Sequence, residues 1–176
     1  MRLALALFSV VVLFFCVPRE TTAQRPIQPR FGAGFEALVA PPGQDLVEEG
    51  LGLGVRARVA LPVNRDLSFA LGVGVVGFVF GGQDDASYLA HPQLSVILTL
   101  PGRRSARYLM GGFGGFIPLE DPDNFGVPDG GPALHLGAGW AFPLSETSLY
   151  VEIDPSLIIG ESETTVVLPA RVGIIF

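Results

Sequence analysis

The chain has 176 residues, of which 49% are hydrophobic and only 16% charged, with 23 Gly and 15 Pro. Soluble domains carry about 25% charge, so water-facing material is scarce here, while disorder needs fewer apolar residues than this. The Gly and Pro content opposes a helix bundle, and a net charge of −6, with all 11 cations Arg, argues against a nucleic-acid partner.

Met1-Arg2 opens an apolar run from Leu3 to Val17, followed by Arg19-Glu20-Thr21-Thr22-Ala23-Gln24. A positive start, an apolar stretch and small residues (Thr21, Ala23) before the break predict a secretory signal peptide over residues 1–23. The run is shorter than the roughly 20 residues of a spanning helix. Cys16, the only cysteine, lies inside it and follows Phe15, where a lipobox needs a small residue. The mature chain is therefore expected to hold no thiol and no disulfide. Residues 24–176 read as one domain, with Arg outnumbered by acids.

Period-two alternation then recurs in eight segments. The first, Phe31–Ala40, aligns Phe31, Ala33, Phe35, Ala37 and Val39; the second, Leu51–Val63, aligns Leu51, Leu53, Val55, Ala57, Val59 and Leu61. The third, Leu67–Phe80, sets Leu67, Phe69, Leu71, Val73 and Val75 against Ser68, Ala70, Gly72 and Gly74. Tyr88–Leu100, Ala106–Pro118, Ala133–Phe142, Ser148–Ile159 and Val166–Phe176 complete the set. Most are near the 9–11 residues that a tilted strand needs to cross a bilayer. In the fifth, either phase fits Arg107–Phe113 and a bulge is expected; Pro155 points to a second bulge or an edge-like defect. The first, third, fifth and seventh connections are the longer ones, as in barrels with long outer loops and short periplasmic turns.

Alternation alone does not say which face meets lipid, because a soluble barrel alternates too. The minor phase decides. Its charged members are few and balanced: Glu36, Glu152 and Asp154 against Arg56, Arg58 and Arg171, with His91, Gln93, Ser95, Thr99, His135, Tyr150 and Ser156 beside them. Buried charges must be paired, and an eight-stranded interior is just wide enough for side chains to fill it. A plugged polar lumen is expected, with the apolar phase facing lipid. Phe31, Tyr88, Tyr108, Phe116, Trp140, Phe142 and Phe176 are the candidate interface girdle.

The last segment ends in Phe176 with Ile174, Val172, Ala170 and Leu168 at alternate positions behind it. This resembles the C-terminal signal of bacterial outer-membrane proteins. With the signal peptide and eight alternating segments, the mature chain is similar to small OmpA/OmpX-like outer-membrane barrels. The resemblance implies an all-β fold, an eight-stranded antiparallel up-and-down transmembrane β-barrel. It also implies outer-membrane lipids around the barrel and the barrel-assembly machinery as a partner during biogenesis.

Chemistry is sparse. The outer connections hold Asp45, Glu48, Glu49, Asp84, Asp85, Glu120, Asp121, Asp123, Asp129, Glu161 and Glu163. Residues 121–129 partly match a calcium loop, but Phe125 and Pro132 stand where it needs oxygen ligands. Some barrels of the resembled kind modify lipid A with a positioned Ser and His, yet His135 has no serine near it in the sequence. Two histidines make a zinc site unpersuasive. The sequence thus predicts a non-enzymatic barrel of the bacterial outer membrane, without metal or cofactor, in a structural or surface-interaction role. The alternatives are a soluble secreted or periplasmic barrel binding an apolar ligand, and a lipid A-modifying enzyme. A surface partner is not written in the sequence.

Overall fold

A computed structural model describes residues 28–39, 51–78, 87–100, 102, 105–119, 130–160 and 164–176. The expected signal peptide, the calcium-like loop and all the acidic residues of the outer connections lie outside them. The strands are β1 (Arg30–Val39), β2 (Gly52–Pro62), β3 (Leu67–Phe78), β4 (Ser87–Leu100), β5 (Ala106–Pro118), β6 (Gly131–Pro143), β7 (Ser148–Ile153), β8 (Ser156–Ile159) and β9 (Thr164–Ile175). Each pairs antiparallel with its neighbours, and β1 pairs with β9 to close the sheet. The seam is finished by reciprocal bonds between Phe31 and Phe176 (3.0 and 2.8 Å). β7 and β8 share one barrel position, so the fold is a closed eight-stranded up-and-down barrel of the transmembrane kind.

Alternation sets the register of this sheet, because a slip of one residue would turn every apolar side chain to the other face. Closure removes the sheet edges, which could not remain unpaired in lipid. At the β2–β3 turn the amides of Asp66 and Leu67 donate to Asn64 Oδ1 (2.9 and 2.8 Å), a local bond that shapes a short connection.

Two sequence expectations are corrected by the register. β5 carries no bulge: Leu100↔Arg107 and Leu89↔Pro118 keep one register with β4, as Ala106↔Ala141 and Phe116↔Gly131 do with β6. Its phase follows, with Tyr108, Met110 and Phe116 buried and Leu109, Phe113 and Ile117 exposed. Tyr108 and Phe116 therefore leave the expected girdle for the interior, whereas Phe31, Tyr88, Trp140, Phe142 and Phe176 stay outside. At Pro155 the edge-like defect is present and the bulge is not: Ala138↔Ile153 and His135↔Ser156 lie in one register. The ladder only loses donors. Leu136 N still donates to Pro155 O at 3.1 Å, and Asp154 N to Pro169 O at 2.9 Å, but neither proline has an N–H to return the bond.

The interior is layered. Toward the long connections, Leu38, Val76, Phe78, Leu89, Phe116, Ala133, Ile158 and Val167 form an apolar layer. Toward the short turns, Ala70, Ile97, Tyr108 and Met110 form a smaller one. Charged and polar side chains occupy the space between.

Candidate functional site

The candidate site is this middle layer, and it grows from cross-strand register. Arg171 on β9 stands directly opposite Glu36 on β1 and Glu152 on β7. Its Nε donates to Glu36 Oε2 (2.9 Å), while Nη1 donates to Glu152 Oε1 (2.8 Å) and Asp154 Oδ2 (2.5 Å). Asp154 joins because it follows Glu152 by two residues and so shares its face. One planar guanidinium thus meets three carboxylates, a geometry suited to the fixed donor fork of Arg. Arg58 Nη1 donates to the other oxygen of Glu152 at 2.7 Å, and its cation lies 4.5 Å from the Tyr150 ring centroid.

Three further contacts share one construction: a glycine on a middle strand lets side chains two strands apart meet above it. Gly139 separates Tyr108 from Glu152, and the Tyr108 hydroxyl donates to Glu152 Oε2 at 2.9 Å. Gly74 separates Arg56 from His91, whose Nδ1 lies 3.4 Å from Arg56 Nη1. Gly112 separates Ser95 from His135, placing Ser95 Oγ 3.2 Å from Nε2. A methyl group on Gly139 would run into the Tyr108 ring, and one on Gly74 into His91. The interior glycines are therefore the spaces that these polar side chains fill.

The corner around His91 is less complete. His91 Nε2 lies 3.0 Å from Glu36 Oε1, but Glu36 Oε1, Arg56 Nε and His91 Nε2 all lack an aligned hydrogen-bond partner among the described residues. His91 instead stacks on Phe116 with ring centroids 5.3 Å apart, which ties the polar layer to the apolar layer above it.

All six charged residues singled out in the sequence are gathered here: Glu36, Arg56, Arg58, Glu152, Asp154 and Arg171. Leu168, Ala170, Val172, Ile174 and Phe176 lie on the opposite, exposed phase of the last strand and its end. The sequence missed two participants and one contact. Tyr108 was obscured by the uncertain phase of β5. Arg30 belongs to the inward phase at the short-turn mouth, opposite Ala60, and lines a cavity of about 80 Å³ with Arg58 and Tyr108 at its inner end. The missed contact is between Ser95, already placed on the inward phase, and His135. With Asp154 Oδ1 2.8 Å from His135 Nδ1, the order Ser95–His135–Asp154 has the connectivity of a hydrolytic triad. Its surroundings do not suit one. All three residues are buried, Asp154 is also held by Arg171, and the short-turn cavity does not include Ser95. Among the described residues no group of three or more metal-ligating side chains is placed to hold an ion.

No family model matches the chain. No curated protein matches it either. Solved structures do. Neisserial surface protein A aligns with a TM-score of 0.62 at 14% identity, covering 84% of this chain and 94% of that one. The N-terminal β-barrel domain of OprF from Pseudomonas aeruginosa aligns at 0.51 and 14% identity, over 84% of this chain and 97% of its own. Ail, the attachment invasion locus protein of Yersinia pestis, in complex with the heparin analogue sucrose octasulfate, aligns at 0.50 and 13% identity, over 84% and 97%. At these identities the likeness is one of fold, and the fold is that of the small eight-stranded outer-membrane barrel.

Proposed function

We propose that the protein is an integral barrel of the bacterial outer membrane, with an occluded lumen and a structural or surface-interaction role. The observation that carries this reading is the inversion of the two strand faces. The six lumen charges, both histidines, Tyr108 and Tyr150 face the interior, while the outward phase is mainly Leu, Val, Ile and Phe. A soluble barrel that carries an apolar ligand needs the opposite arrangement. Occlusion is supported by the middle layer of paired charges and by the apolar layer between it and the long connections. The exposed alternate residues Leu168 to Phe176 suit recognition by the barrel-assembly machinery.

A surface role accords with two of the similar structures, a neisserial surface protein and an attachment invasion locus protein. The polyanion seen with Ail is a poor guide to a ligand here, because the outer connections of this chain carry only acids as charged groups. A lipid A-modifying enzyme has no support in the placement of Ser95 and His135, which face the interior rather than lipid.

Planar-bilayer recording of the refolded protein tests the reading. The expected result is heat-modifiable gel mobility, showing a folded barrel, together with no stable unitary current. Stable currents from folded protein would overturn the occluded lumen. Recovery in the soluble periplasm without detergent would overturn the membrane assignment itself.

A further inference from the structure

The charges outside the lumen are segregated by end. Connections 40–51, 79–86, 119–130 and 160–163 hold eleven acids and no cation. At the opposite end Arg65 and Arg107 are exposed, Arg30 is exposed at the lumen mouth, and the sequence adds Arg103 and Arg104 in the connection between β4 and β5. Asp66 and Glu146 are the acids that offset them there. The short-turn rim is therefore a cationic band on an acidic protein.

Arg107 gives this band a position on the lipid-facing wall. It lies on the exposed phase of β5, in line with Leu109, Phe113 and Ile117, and directly opposite Trp140 on β6. Trp140 is 42% exposed and faces the same way. A guanidinium in an outward apolar row is costly unless it reaches the headgroup region, whereas Trp prefers that region. From Arg107 to Ile117 a strand tilted by about 40° rises roughly 25 Å, the height of an outer-membrane apolar band. The pair thus falls at the edge of the hydrocarbon.

We propose that the short-turn rim, with Arg107 and Trp140 at its centre, is a docking surface for the headgroups of anionic glycerophospholipids in the leaflet it faces. The occupant follows from charge complementarity: a phosphodiester accepts hydrogen bonds from the guanidinium, while the indole packs on the glycerol and upper acyl chain. The acidic loop end offers nothing comparable to such a lipid. This inference rests on the membrane reading above, and the test separates the two.

Trp140 is the only tryptophan, so its fluorescence reports one place. The full mature chain is refolded into phosphatidylcholine vesicles whose acyl chains are brominated near the headgroup. Quenching supports insertion, and its absence would overturn the membrane reading. Phosphatidylglycerol brominated in the same way is then added as a minor component of unbrominated phosphatidylcholine. The expected quenching exceeds that of random mixing, reflecting local enrichment of about fivefold, equivalent to about 1 kcal/mol for one Arg at an anionic surface. In Arg107→Gln, with folding verified by gel mobility, the excess should vanish. Quenching in proportion to mole fraction in the unaltered protein, or an excess that survives Arg107→Gln, overturns the proposal.

Discussion

The two faces of each strand obey one rule in two solvents. On β9, Leu168, Val172 and Ile174 are exposed, while Thr165, Val167 and Arg171 on the alternate phase are buried. On β7, Leu149, Val151 and Ile153 face out, and Tyr150 and Glu152 face in. Lipid accepts the first set without any specific partner, because a hydrocarbon surface makes no directional demands. The second set is tolerated only where register supplies each charge with its opposite. The outer face is thus specified by composition alone, and the inner face by position.

This contrast can be broken most severely at Arg171. Removing it as Arg171→Met leaves Glu36, Glu152 and Asp154 close together without their shared cation. Breaking a buried pair by deleting one partner costs about 3–5 kcal/mol. The expected outcome is a loss of that size in urea unfolding from detergent micelles, partly recovered when Glu36→Gln is added. A loss below about 1 kcal/mol would show that the interior does not depend on pairing. On the other face, Leu136 is 74% exposed near the middle of β6. Leu136→Arg should cost about 2–4 kcal/mol in a bilayer, measured by reversible unfolding from vesicles. The same substitution on a water-facing surface would be nearly neutral.

How much of this was legible in the sequence depends on which side of the strand is considered. The outward face was readable from period two, since each strand repeats one apolar class. The six lumen charges were readable as exceptions to that class. Their partners were not, because Arg171 meets Glu36 across 135 residues of chain, and only the register brings them together. β5 was ambiguous for a related reason. Gly111, Gly112, Gly114 and Gly115 have no side chain to declare a phase, so Tyr108 and Phe116 could be read as lipid-facing. Ser95 escaped notice beside His135 because the strand between them contributes only Gly112 at the crossing point.

The glycines allow a finer test of the inner face. At Gly139 a methyl group meets the Tyr108 ring, whereas at Gly115 on the outer phase the nearest atom is a backbone oxygen at 3.4 Å. Gly139→Ala should lose about 1–3 kcal/mol through overpacking. Gly115→Ala should stay within about 0.5 kcal/mol, in the range of ordinary surface substitutions. Equal effects at the two sites would mean that the interior glycines serve backbone conformation rather than space for polar side chains.

The smallest expected effect concerns Pro155, where the outer face carries a residue that position does not require. Pro155 is exposed and in register opposite Leu136, accepting a bond from Leu136 N but returning none. Pro155→Val restores the missing donor, and a hydrogen bond is worth about 0.5–1.5 kcal/mol net. The valine chain is also more flexible when unfolded, which takes back about 0.4–1 kcal/mol. The net change should therefore be a gain below about 1 kcal/mol in the same unfolding assay. Slower amide exchange at Leu136 would show that the ladder has closed around it. Pro169→Val supplies the contrast, because Pro169 is fully buried opposite Asp154 and its ring is part of the interior packing. There the new donor comes with a change of shape beside the Asp154 cluster, so no gain is expected. A gain at the inner proline and none at the outer one would reverse the distinction between the two faces.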